Sequence, residues 1–258
     1  MTVVAVAALN LLLGVVYISY GVMTIIDLRR GWDQRGFSHF GLAWIAMAFT
    51  CGPHHFEHGL HVALAGRAGG PLDLFAVIVG LPAGVIWFLL RVEALTGGRG
   101  DRFISHTPRW VAALPAVSVA YVVLLVGAAG AILRHGAEFG PKMTPNVLLL
   151  AVYFLIGYYL LRTQLRNHGP LGGWSVSGLS LTFVFPTCGL MHIAFVVYAA
   201  SGRYAVDTHG LVIDWLAVPA ALYFVWVVRS MIYLQTFEDW NRSSAGTVPE
   251  PELEPVNA

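Results

Sequence analysis

Seven long apolar stretches alternate with short polar ones along the chain. They run over about Val3–Ile26, His39–Ala65, Leu72–Leu95, Trp110–Leu133, Thr144–Leu161, Trp174–Ala200 and Leu211–Leu234. A helix needs about 20 apolar residues to cross the hydrocarbon core of a bilayer. Backbone in lipid must also satisfy its own hydrogen bonds, so such stretches are helices. The pattern predicts an all-α integral membrane protein of seven transmembrane helices, occupying residues 1–240. The first run has no basic leader and is too long for the core of a signal peptide, so it counts as a span. After Trp240 the character changes. Residues 241–258 hold three prolines and three glutamates with little to bury, which predicts a disordered cytoplasmic tail.

Charge refines this picture in two ways. Only 11% of residues are charged and 57% are hydrophobic, against roughly 25% charged in soluble domains. The basic residues also divide unevenly between the two sets of span ends. Arg29, Arg30, Arg35, Arg91, Arg99, Arg102, Arg109, Arg162, Arg166, Arg229 and Arg242 fall on one side, and Arg67, Arg134, Lys142 and Arg203 on the other. The positive-inside rule then predicts the N-terminus outside and the C-terminus in the cytoplasm, with a bacterial plasma membrane as the expected location. Trp32, Trp110, Trp174 and Trp240 lie near span ends, as an aromatic belt would. The net charge of +1, without a basic stripe interleaved with aromatics, argues against a nucleic-acid partner. Membrane lipid is the expected surrounding, with a lipid or small molecule as candidate substrate. No phosphate-binding loop, dinucleotide fingerprint or nucleophile elbow stands in a fitting context.

Both cysteines of the chain sit in one repeated pattern. Thr50-Cys51-Gly52-x-x-His55 in the second span matches Thr187-Cys188-Gly189-x-x-His192 in the sixth, at an offset of 137. Pro82-Ala83 and Pro219-Ala220 match at the same offset. The bland reading is that small residues make ordinary helix contacts. The sharper one is a parallel internal repeat: a first unit over about 3–95, a linker helix over 110–133, and a second unit over about 144–235. This 3+1+3 plan resembles SWEET-type sugar transporters and microbial rhodopsins in architecture. A retinal Schiff base needs a lysine in the last span, and the single lysine here is Lys142, in a loop.

The candidate chemistry is concentrated in the second span, with Cys51, His54, His55, Glu57, His58 and His61. At 100° per residue the cysteine and the four histidines fall within roughly 120° of arc. Ionisable groups within a membrane mark a functional site by default, although His58 and His61 would also be at ease at headgroup level. The proposed orientation puts this cluster in the outer half of the bilayer. His55 pairs with His192 and Cys51 with Cys188, whereas His54, Glu57, His58 and His61 have no like residue in the second unit. On the same side lie Asp73, His135, Glu138, Asp207, His209 and Asp214. Pro53 and Pro186 each free a backbone carbonyl, at Phe49 and Thr182, and either mark a site or are tolerated kinks.

Three functions fit these residues. In the first, His54, His55, His58, His61, His192, Cys51 and Cys188 supply ligands to zinc, copper or iron, and Glu57 and Asp214 act in catalysis as a hydrolase or oxidoreductase. In the second, His55 and His192 are the axial ligands of a b-type haem in an electron carrier. In the third, the protein carries or senses copper or zinc. Adiponectin-receptor and alkaline-ceramidase hydrolases resemble the first case as seven-span zinc enzymes. Their H-x-x-x-H pair in the last span has no counterpart, because Leu211–Leu234 contains no histidine. The paired histidine boxes of membrane desaturases are also absent, since the one H-H-x-x-H, at His54–His58, stands alone.

Overall fold

A computed structural model describes residues 2–66, 70–135, 140–201 and 211–233. They form seven helices: α1 (Thr2–Arg35), α2 (His39–Ala65), α3 (Pro71–Leu95), α4 (Leu114–His135), α5 (Gly140–Asn167), α6 (Val176–Ala200) and α7 (Leu211–Tyr233). All but α2 are long and apolar enough to cross a membrane. The exception has the length, at 27 residues, but carries five imidazoles and Glu57. The predicted tail at 241–258, with Glu138, Asp207 and His209, lies outside the described residues.

Several helices outrun the apolar stretches that announce them. α1 continues past Ile26 to Arg35, and α5 runs from Gly140 to Asn167 instead of Thr144 to Leu161. Backbone hydrogen bonding propagates into polar residues once a helix is nucleated, so hydropathy marks the lipid-compatible part of a helix and not its end. The fourth element differs in the other direction. Residues Arg109–Ala113 form a 3-10 turn, and the α-helix begins at Leu114.

Helix starts are fixed by side chains. Ser38 Oγ accepts the Gly41 N–H at 3.0 Å to open α2, and Ser175 Oγ accepts the Gly178 N–H at 2.8 Å to open α6. Each hydroxyl satisfies one of the donors that a helix N-terminus leaves open. Just before α6, a two-stranded antiparallel pair joins β1 (Phe103–Ile104) to β2 (Trp174–Ser175). Asp101 ties the same corner by accepting from Ser175 Oγ at 2.6 Å and from the Ser177 N–H at 2.9 Å.

The packing follows a paired scheme. α1 lies on α2 and α5 on α6; α3 crosses to α6 and α7 to α2; α1 also meets α3, and α5 meets α7. α4 stands outside it, against α5 and α6. Individual contacts repeat as well. Arg30 donates to the Leu95 carbonyl at 3.3 Å, and Arg166 donates to the Ile232 carbonyl at 3.1 Å. Gly21 makes room for the Phe49 ring, and Gly157 makes room for the Pro186 ring at the matching place.

One difference places α4. Gly14 and Gly52 bring the α1 and α2 backbones together, where a Cβ on Gly14 would stand 2.7 Å from the Phe56 nitrogen. The matching positions in the second half are Leu150 and Gly189, so a leucine side chain stands where the first half has a bare backbone. Tyr121 of α4 enters there, against Gly189, and its hydroxyl donates to the Leu150 carbonyl at 3.2 Å.

The main core is aromatic and includes Tyr20, Trp44, Trp87, Phe185 and Phe224. The Tyr20 and Trp87 rings meet edge to face with centroids 4.5 Å apart, and Trp44 lies 4.6 Å from Trp87.

Replacing Gly14 by leucine is expected to destabilise the protein by about 1–3 kcal/mol through overpacking of the α1–α2 contact. The same change at Gly130, where a Cβ would meet nothing within 4 Å, should leave stability unchanged. Thermal unfolding of the two variants in detergent checks the difference.

Candidate metal centre

Each residue of the repeated Thr-Cys-Gly-x-x-His pattern has a distinct contact. Thr50 Oγ1 donates within its own helix to the Ala46 carbonyl at 3.0 Å, and Thr187 Oγ1 does the same to Phe183 at 2.7 Å. Such back-bonding is how a hydroxyl satisfies itself in an apolar helix. The glycines permit the close approaches described above. The cysteines reach across the bundle: Cys51 Sγ lies 3.0 Å from the Tyr153 hydroxyl of α5, and Cys188 Sγ lies 4.0 Å from the Tyr17 hydroxyl of α1.

The histidines are held by two asparagines. His55 Nδ1 is 2.9 Å from Asn10 Oδ1, and His192 Nδ1 is 2.7 Å from Asn146 Oδ1. An amide oxygen only accepts, so each ring donates from Nδ1 and keeps its lone pair on Nε2. Tyr17 and Tyr153 close each arrangement, standing edge-on to His55 and His192 with centroids 5.2 Å and 5.5 Å away.

The symmetry of this frame breaks at two positions. Asp214 on α7 stands where the first half has Val77, and His54 on α2 stands where the second half has Met191. Both additions converge on His192. One atom from each of His54, His192 and Asp214 lies within 4.8 Å of the others, the one such group of three among the described residues. Asn146 orients two of the three, because its Nδ2 donates to Asp214 Oδ2 at 3.0 Å while its Oδ1 holds His192. The other carboxylate oxygen, Oδ1, faces His54 Nδ1 at 3.0 Å and His192 Nδ1 at 4.0 Å. The first distance is that of a hydrogen bond but the alignment is not: His54 Nδ1 and Asp214 Oδ1 are buried atoms without a hydrogen-bond partner.

A buried imidazole nitrogen 3.0 Å from a buried carboxylate oxygen shares a positive charge with it, a proton on the ring or a metal ion between the two. Two imidazoles and a carboxylate are also a ligand set that first-row metal ions take. The residues present therefore fit a metal ion. They fit a haem poorly, because His55 has both ring nitrogens engaged, Nε2 being 3.1 Å from Cys188 Sγ. The cavity shared by His54, His55, His192, Asp214 and both cysteines has room for about one water molecule.

The remaining sequence candidates lie around this group. Glu57, His58 and His61 are half-buried farther along α2 and are not among the three converging residues. Asp73 is buried in the first turn of α3, next to Leu72, whose N–H donates to the Tyr198 hydroxyl at 2.8 Å. Sequence inspection missed Asn10, Asn146, Tyr17 and Tyr153. Their signal was present, as Asn10/Asn146 and Tyr17/Tyr153 are both spaced by 136. That spacing is one residue shorter than the 137 that separates the two Thr-Cys-Gly-x-x-His motifs.

No known protein family, no curated protein and no solved structure matches the chain.

Asn146→Ala removes the group that orients both His192 and Asp214. Loss of such a supporting partner is expected to weaken binding of a divalent ion about 10–100-fold. Equilibrium dialysis with Co(II), beside circular dichroism to show that helicity is retained, measures it.

Proposed function

We propose that this chain is a membrane metalloprotein whose metal ion is held by His54, His192 and Asp214. The convergence of these side chains, with His54 Nδ1 and Asp214 Oδ1 buried and unpartnered by hydrogen bonds, carries the proposal. Catalytic zinc sites use two histidines and a carboxylate, and so do the non-haem iron sites of oxygenases. Both keep positions open for water or substrate, so the function that fits is a metal-dependent enzyme acting on a lipid or small molecule. In this reading Asp214 is a ligand and His192 is set by Asn146. Glu57, on the same helix as His54, is the candidate acid or base. The bound ion would supply Lewis-acid or redox chemistry, while the chain orients the ligands and limits access of water.

The wider architecture belongs to the same proposal. α2 is the seventh span, its polar face turned toward the bundle, and the two three-helix units arose by duplication with α4 as linker. The repeated packing scheme, the paired Asn–His bonds and the paired arginine contacts support the duplication. The excess of arginine at one set of helix ends supports an N-terminus outside the cell, which puts the metal centre in the outer half of a plasma membrane.

Metal analysis tests the centre. The purified protein should bind one Co(II) or Zn(II) per chain, and His54→Ala, His192→Ala and Asp214→Asn should each weaken binding by at least about 100-fold, or about 2.7 kcal/mol. Unchanged binding in all three variants, or no binding by the unaltered protein, would sink the proposal. Topology is tested separately with reporters fused after residue 240. A cytoplasmic fluorescent reporter should be active there and an exported phosphatase inactive.

A further inference from the structure

The metal centre leaves two buried thiols unused. Cys51 and Cys188 line the cavity below His54, His192 and Asp214. They also line a second cavity on their other side, together with Tyr17, Tyr20, Trp44 and Met47. The two sulfurs are therefore a shared wall between two spaces inside the bundle. They come from matching positions in the two halves, and both border each of the two cavities. Both are free thiols. Around them stand the Tyr153 hydroxyl, 3.0 Å from Cys51 Sγ, the Tyr17 hydroxyl, 4.0 Å from Cys188 Sγ, and His55 Nε2, 3.1 Å from Cys188 Sγ. The lining of the second cavity is soft and aromatic, with the Met47 thioether and the Trp44 ring, whose buried Nε1 has no hydrogen-bond partner.

We propose that Cys51 and Cys188 form a second site, distinct from the His/Asp centre, which binds one monovalent soft cation, Cu(I) or Ag(I), between the two cavities. Soft thiolate donors select Cu(I) over harder ions, whereas imidazole and carboxylate suit the divalent ions of the neighbouring centre. A closed-shell monovalent ion accepts two opposed sulfurs as a complete ligand set, so a pair of thiols suffices. As each S–metal bond forms, the corresponding S–H proton passes to solvent, and no oxidation state changes. The tyrosine hydroxyls are placed to donate to the resulting thiolates, which softens the cost of burying negative charge. Met47 on one side and Met191 on the other extend sulfur donors along the line of the two cavities. That suits a site through which the ion is handed on.

The test uses the full chain, purified reduced in detergent and titrated anaerobically with Cu(I) against the chromophoric chelator bicinchoninate. Copper-edge X-ray absorption is recorded on the same sample. One Cu(I) per chain with two sulfur scatterers is expected. Cys51→Ser and Cys188→Ser should each weaken binding at least tenfold, while Asp214→Asn should change it less than twofold although it abolishes Co(II) binding. The proposal is overturned if the protein takes no Cu(I), if the copper sees only nitrogen and oxygen, or if Asp214→Asn weakens Cu(I) as much as the serine variants do. Should a serine variant fail to fold, the scatterers around copper in the unaltered protein decide alone. A protein that binds Cu(I) through sulfur but no Co(II) would refute the His/Asp centre and leave this site standing.

Discussion

The bond between an asparagine amide and a histidine Nδ1 organises the centre of this bundle. A histidine ring buried among apolar side chains has no water to take its N–H proton, and an unpaired donor there costs about 1–3 kcal/mol. Asn10 and Asn146 solve this from the neighbouring helices, at 2.9 Å and 2.7 Å. Because an amide oxygen can only accept, the bond also decides where each ring keeps its lone pair. Helix packing, ring orientation and ligand chemistry are thereby joined in one contact. Asn146 goes further than Asn10. Its amide nitrogen holds Asp214, whereas that of Asn10 donates to the Val6 carbonyl of its own helix.

A nearly symmetric frame with an asymmetric occupant is the consequence. Both halves supply a threonine satisfied by its own helix, a cysteine facing the opposite tyrosine, a glycine at a close approach and a histidine on an asparagine. The addition of His54 and Asp214 turns one of the two histidine positions into a three-residue centre. At the other, Val77 and Met191 occupy the matching places, and His55 meets Cys188 instead. Carboxylate and imidazole donors therefore stand on one side of the two thiols, with a thioether in each of the two cavities.

The two halves differ most where α4 attaches. Glycine at 14 lets α1 lie on α2 backbone to backbone, whereas the matching position on α5 is Leu150, and α5 approaches α6 closely at Gly157 instead. Tyr121 lies against Gly189 and bonds the Leu150 carbonyl, which anchors α4 on α5 and α6.

The hydrophobic pattern of the chain already determined that it is helical and roughly where each helix of the described residues begins. These are local properties, since lipid-compatible length and backbone satisfaction are decided within a single segment. The paired His55 and His192, with their cysteines, were legible for the same reason: a motif twice present needs no coordinates. Sequence also marked the second span as the polar one, but it could not rank the polar groups there. Only the tertiary structure separated His54 from Glu57, His58 and His61, because membership in the centre depends on what α5 and α7 bring to meet α2. Asp214 stood out only weakly as a carboxylate just inside a span, and Asn146 only through its spacing of 136 from Asn10, since an uncharged amide shows no role until its two partners are known. Convergence of groups 22 to 160 positions apart in the chain is a property of packing, and packing is where the choice was made.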